Sequence, residues 1–318
     1  MKKLIYILII LGILLFLGSL NKVKAYTFQT LDYPGSAYTY LNSINDKGQI
    51  VGYYYSSSGY HGLLYDPTNG FQTLDYPGAY ETYLNGINNK GQIVGSYHSS
   101  SGYHGLLYDP TNGLQTFDYS GASYTALNSI NDKNQIIGSY YSYRSHGFLY
   151  DPTNGFQTLD YLGTSFGHSI NNKEQIVGSY YAGYPYRGHG LLYDPINGFQ
   201  TLDYPGAYHT ILNSINDRDQ IVGQYFSSVI HGLLYDSTNG FQTLDYPGAY
   251  RTYLNGINNK GQIVGSYDSS GIHGLLINPN TSSTVPEPTT MLLFGTSLVG
   301  LISTKLRMKK IAHQAGSR

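Results

Sequence analysis

A chain of 318 residues with 18 Lys and Arg against 19 Asp and Glu is almost neutral, and having no cysteine it excludes disulfides and thiol chemistry. The balance conceals an uneven spread, because residues 26–279 hold only 9 basic against 18 acidic side chains. A body of net charge −9 repels phosphate backbones and speaks against nucleic-acid binding, while 36 Tyr, 11 Phe and no Trp favour strands with half-wet aromatic positions.

The chain opens with Lys2 and Lys3, an apolar run from Leu4 to Leu20, and then Asn21-Lys22-Val23-Lys24-Ala25. A basic start, a long apolar segment and small residues at Val23 and Ala25 predict a signal helix over residues 1–25, with the mature chain beginning near Tyr26.

Residues 26–279 are a tandem array. His-Gly recurs at His61, His104, His146, His189, His231 and His273, with spacings of 43, 42, 43, 42 and 42 residues. In the unit at residues 71–113, four strand candidates (71–75, 82–87, 92–97 and 104–108) are separated by Tyr76-Pro77-Gly78, Asn88-Asn89-Lys90-Gly91, a Ser/Gly loop and Asp109-Pro110-Thr111-Asn112-Gly113. Connections this short predict antiparallel hairpins, and no amphipathic helical period is present. Four strands per ~42 residues is the arithmetic of a propeller blade. The expected fold is therefore an all-β, six-bladed β-propeller, with an open β-solenoid as the alternative. The phase of the blade is left open, since both ends of the array fall at unit boundaries.

The pattern Ile-Asn-x-x-Gly-Gln-Ile-Val-Gly followed by His-x-Leu/Phe-Leu-Tyr resembles the extracellular repeats named for His-Ala-Phe (HAF). Here Gly62, Gly105, Gly147, Gly190, Gly232 and Gly274 stand at the alanine position, and Phe148 alone keeps the phenylalanine. The resemblance implies architecture and an extracellular location, without a defined activity.

Candidate chemistry within the array is sparse. Ligand nitrogens around zinc must lie roughly 3–3.5 Å apart, whereas equivalent positions on packed sheets are about 10 Å apart, so the six histidines are expected to be structural, for instance bonding a turn carbonyl. Asp66-Pro67-Thr68-Asn69-Gly70 and its copies offer two oxygen-bearing side chains each, which makes a plain turn the expectation and a weak calcium site the alternative; no other cofactor is expected. Glu81, His98, Arg144, His168, Glu174, Arg187, His209 and Arg251 break the repeat at what read as different places in the unit. With no nucleophile elbow or phosphate loop, an enzyme is not expected. Tyr54, Tyr140, Tyr141, Tyr143, Tyr181, Tyr184 and Tyr186 cluster between the third and fourth strands and are candidate glycan contacts by stacking.

A linker over residues 280–288 ends in Val285-Pro286-Glu287-Pro288. An apolar stretch follows over residues 289–304, then Lys305, Arg307, Lys309 and Lys310 as a basic stop, and a tail over residues 311–318. Sixteen apolar residues span about 24 Å, close to a hydrocarbon core of ~30 Å, so residues 289–310 are predicted to be a C-terminal transmembrane helix and its stop. The three parts in order resemble the PEP-CTERM sorting domain. That resemblance implies an exosortase-type processing enzyme as partner, cleavage near Pro286–Pro288, a membrane-anchored precursor, and delivery to the cell surface or matrix. The function these signals support is an exported, non-enzymatic structural or interaction protein of an exopolysaccharide matrix. A multivalent glycan-binding propeller and a polysaccharide-acting propeller enzyme are the alternatives.

Overall fold

The computed structural model describes residues 25–162, 164, 165, 167–183 and 186–280. The expected signal helix, the Val285–Pro288 motif, the C-terminal helix and Tyr184 lie outside the described residues. Among the described residues all regular structure is strand, and no helix is long and apolar enough to cross a membrane.

The compact unit Phe28–Asn278 is built from antiparallel meanders. In the first, Tyr38–Ile44, Ile50–Ser56, Gly59–Asp66 and Gly70–Thr73 pair in order. Later copies repeat the pattern, and a single bridge between Tyr103 and Tyr124 joins the second and third meanders. Outside this unit, the Asn280 amide donates to the Ala25 carbonyl at 2.9 Å.

This order settles the phase of the repeat. The Phe-Gln-Thr strand that opens each sequence unit belongs to the sheet before it, pairing Leu63 with Thr73 and Tyr65 with Phe71. The last meander, Arg251–Ile257, Ile263–Asp268 and Ile272–Pro279, therefore lacks a fourth strand of its own. Tyr26–Thr30, at the other end of the array, supplies it. The Leu31 amide donates to the Gly274 carbonyl at 2.9 Å, so the two ends of the array are closed on each other by backbone pairing.

The core is divided among the interfaces between successive copies. Leu84, Ile87, Ile93, Tyr97 and Leu106 pack around Val51 of the preceding copy. Leu41, Ile44, Ile50, Tyr54 and Leu63 pack around Val264 of the last one. The apolar-on-both-faces Ile-Val-Gly strand follows from this, since Ile93 fills its own copy's cluster while Val94 fills the next. Gly95 permits the approach: a Cβ there would stand 2.0 Å from the Tyr83 carbonyl oxygen, beside the bulge between Leu84 and Gly86.

Turn chemistry fixes the connections. Gly48, Gly91 and Gly261 hold φ near +80° in the Asn-Asp/Asn-Lys-Gly turn, and Asn134, Glu174 and Asp219 take the same left-handed position in the third, fourth and fifth copies. Together the first to last copies form a closed β-propeller arrangement, with the first strand of each meander innermost.

Candidate functional site

Each inner strand has two ends, and the two mouths of the ring differ in kind. At the end where the strand runs into its Asn-Asp/Asn turn, three sets of side-chain bonds pass from copy to copy. Asn42, Asn85, Asn128, Asn213 and Asn255 each donate to a backbone carbonyl of the next copy, and His168 Nδ1 donates to Leu212 O at 3.0 Å in the same position. Asn45, Asn88, Asn131, Asn171, Asn216 and Asn258 do the same one turn further on, the last returning to Asn45 O at 2.9 Å. Their Oδ1 atoms also accept amides of their own turn, as Asn88 does from Lys90 and Gln92.

The third set is an alternation. Asp46, Asn89, Asp132, Asn172, Asp217 and Asn259 succeed one another around the axis, and each backbone amide donates to the side-chain oxygen of the next. Every Asn amide group is shared between its two Asp neighbours, as Asn89 Nδ2 is with Asp46 Oδ2 at 3.1 Å and Asp132 Oδ2 at 2.9 Å. These residues line an axial cavity of about 70 Å³. Exposed lysines surround it: Lys90 reaches Asn134 at 3.0 Å, Lys133 reaches Glu174 at 2.7 Å and Lys173 reaches Asp219 at 2.9 Å.

The repeated histidines are placed further out. Their Nδ1 atoms meet the carboxylate of the aspartate 14 residues on, as in His61–Asp75 at 2.8 Å, and the sixth copy closes back on the first through His273–Asp32 at 2.8 Å. The other carboxylate oxygen accepts the following glycine's amide. This corrects the expected carbonyl partner: the Asp of the Leu-Asp-Tyr turn reaches back across the sheet. Among the described residues no group of three or more His, Asp or Glu is arranged to hold a metal ion.

In the Asp-Pro-Thr-Asn-Gly turns, Asp66 Oδ1 accepts from Thr68 N, Asn69 N and Asn69 Nδ2, and Oδ2 accepts from Gln49 Nε2. The Thr68 amide and then the Gln49 side chain hold the Asp66 carboxyl below its usual range. One oxygen serves the turn itself and the other ties it to the end of the neighbouring Asn45–Gln49 turn.

The opposite mouth varies. The first residue of the inner strand is Tyr38, Glu81, Tyr124, His209 and Arg251 in the copies with a full-length strand, paired across to Tyr55, His98, Tyr141, Phe226 and Asp268. Glu81, His209 and Arg251 thus share one place in the unit, which corrects the expectation for these three, while His98, Arg144, His168, Glu174 and Arg187 do occupy different places. Glu81 accepts from Tyr83 OH at 2.9 Å and stands 4.0 Å from His98 Nδ1; burial and then Glu81 raise the Tyr83 phenol well above its ordinary value. His98 lies flat on Tyr103, centroids 4.2 Å apart. His209 Nδ1 accepts the Gly188 amide at 2.7 Å, Arg187 lies over Tyr208 and Arg251 over Tyr250.

The tyrosines proposed from sequence divide into two groups. Tyr54 and Tyr140 are only 8% and 7% exposed. They stack face to face on Tyr33 and Tyr119 at 3.7 and 3.8 Å and pack against His61 and His146, which removes both from the surface. Tyr141, Tyr143, Tyr181 and Tyr186 are exposed, Tyr143 to 98% and Tyr186 to 72%. Sequence reasoning missed the Asp/Asn alternation and the His–Asp pairs, although the 14-residue spacing from His to Asp is constant for the first five histidines of the array.

Residues 284–309 match the PEP-CTERM protein-sorting motif. A search of curated proteins finds no match. Among solved structures the chain is similar to a luciferin-regenerating enzyme at 8% identity and a TM-score of 0.52, covering 81% of this chain and 96% of that one. It is less similar to the β-propeller domain of the Trilobed protease from Pyrococcus furiosus (10% identity, TM-score 0.48, 77% and 96% covered) and to AofleA from Arthrobotrys oligospora (13%, 0.47, 82% and 94%). At these identities the likeness concerns the fold alone, so what marks this chain is a PEP-CTERM sorting motif behind an all-β ring.

Proposed function

We propose that this chain is an exported six-bladed β-propeller with HAF-type repeats, delivered by an exosortase-type enzyme acting at Val285-Pro286-Glu287-Pro288. In this reading it serves at the cell surface or in an exopolysaccharide matrix as a non-enzymatic structural or interaction module, with no required cofactor. The observation that carries the reading is the sorting motif at residues 284–309 following a ring whose recurrent histidines, asparagines and aspartates bond to one another. Bonds repeated in every copy suit a scaffold better than a single converging catalytic centre, and the variable mouth is where a partner would be distinguished. Expression of the full chain in hosts with and without an exosortase tests the export half. Release to the surface only in the first host is expected, and identical retention or release in both would sink it.

A multivalent glycan-binding role is the second reading, favoured by the exposed rings of Tyr141, Tyr143, Tyr181 and Tyr186. Weak sites on one rigid ring gain by avidity. Retention of the exported chain on the producer's own polysaccharide, with and without calcium, measures it. Loss of retention in Tyr141→Ala/Tyr181→Ala supports a stacking contact, and no retention of the parent chain excludes it for that polymer.

A further inference from the structure

The exposed tyrosines sit in an unusual chemical setting. The chain has no Cys or Trp, and its three Met residues (Met1, Met291 and Met308) all lie outside the array. The thiols, thioethers and indoles that ordinarily meet an oxidant first are missing from residues 26–279, which leaves the phenol as the principal oxidisable side chain. Many of its tyrosines are also poor coupling partners. In the stacked pairs the rings lie 3.7 to 3.8 Å apart and within 6° of parallel, and Tyr54 OH is bonded to Thr73 Oγ1 at 2.9 Å. Joining two rings through the carbons beside the hydroxyls requires them to leave that stack, which the surrounding core prevents. At the variable mouth Tyr80 is held edge-on by His98, Tyr103 is covered by it, and Tyr250 lies under Arg251.

Of the exposed tyrosines, Tyr141 and Tyr181 included, two stand furthest into solvent. Tyr143 stands at the tip of the hairpin where the Ser142 amide meets the Arg144 carbonyl, and Tyr186 immediately precedes the strand Arg187–Asp194. Both project from the connection between the second and third strands, in adjacent copies, with 98% and 72% of their surface open. We propose that Tyr143 and Tyr186 are oxidative cross-linking sites through which copies of this chain are joined covalently after export, as dityrosine.

The oxidant is hydrogen peroxide acting through a one-electron peroxidase. Each phenol gives up a proton and an electron, and the two phenoxyl radicals form one carbon–carbon bond between ring positions beside the oxygens. Return of both rings to aromaticity moves the displaced ring hydrogens onto the oxygens. The net change is loss of two hydrogens from the tyrosine pair and reduction of one peroxide to two waters. Two sites on one rigid body allow a chain of copies, whereas one site would stop at a pair. The chemistry rests on the exported reading only for the supply of oxidant, so it is tested apart from it.

Full chain is treated with peroxide and a haem peroxidase, resolved under denaturing conditions, and mapped by mass spectrometry of tryptic peptides. The parent chain is expected to give a ladder of covalent oligomers, Tyr143→Phe and Tyr186→Phe each to stop at dimer, and the double variant to remain monomeric. A parent chain that stays monomeric, a double variant with an undiminished ladder, or a cross-link mapped to other tyrosines would overturn the assignment.

Discussion

The two mouths of the ring are built from the same strands and obey opposite rules. At one, the second position after each inner strand is Asp or Asn in strict alternation, because each side chain must accept an amide from one neighbour and share hydrogens with both. At the other, the corresponding place runs through Tyr, Glu, Tyr, His and Arg without disturbing the meander. A side chain in a ring of copy-to-copy bonds is fixed by the next copy's chemistry, while one at the rim makes contacts that differ from copy to copy. Repetition in this protein therefore follows the bonds that pass from copy to copy, and the residue type varies most where no such ring of bonds runs.

The contrast can be broken most violently on the fixed side. Gly95→Ala places a methyl group against the Tyr83 carbonyl oxygen, and loss of more than about 4 kcal/mol is expected, read as failure to recover folded chain or as a collapsed Tm. Asp132→Asn comes next. It sets an amide between the amides of Asn89 and Asn172 and removes charge-assisted bonds, at a cost of about 2 kcal/mol in denaturant unfolding. Exchanging Asp and Asn at all six ring positions restores the alternation and is expected to recover most of that loss. If it does not, the alternation is not what selects the residues.

His168 gives a smaller, pH-dependent effect. Burial pushes its imidazole below the ordinary 6.5, only partly opposed by its bond to the Leu212 carbonyl. The unfolded chain accepts a proton that the folded ring refuses, so the stability tied to neutral His168 is full above that value and is lost as the pH falls below it. His168→Asn installs the residue of the other copies. The drop in Tm between roughly pH 7 and roughly pH 5 should be smaller in the variant than in the parent. At the variable mouth Tyr38→Ala and Tyr143→Ala are expected to change stability by no more than about 0.5 kcal/mol, and a larger loss from Tyr143→Ala would show that this rim is structural after all.

Much of this was legible from residue order. The period, the four strands and the turns follow from Gly, Pro and Asn placed where φ and hydrogen bonds demand them, and strands such as Ile93–Ser99 fall within two residues of their expected bounds. The sheet to which the Phe-Gln-Thr strand belongs was not legible, because it is flanked on both sides by turns of equal quality. Backbone pairing of Thr73 with Leu63 decides it. Tyr54 and Tyr140 misled for a related reason: successive residues of a strand face opposite ways, so Tyr140 enters the stack while Tyr141 faces out. Successive partners of the Asp/Asn ring stand 40 to 45 residues apart, and the closing pair Asn259 and Asp46 213 apart, beyond any local reading of turn chemistry.

By itself the sequence determined a tandem array of antiparallel strands, its acidic body, and a sorting signal at residues 284–309, since each depends on short-range chemistry carried by neighbouring residues. Only the tertiary structure decided that the array closes through Tyr26–Thr30, that three rings of hydrogen bonds bind copy to copy, and that Glu81, His209 and Arg251 pair across their sheets with His98, Phe226 and Asp268. Those outcomes depend on which copies become neighbours in space, and contact between the first copy and the last is settled by closing the ring.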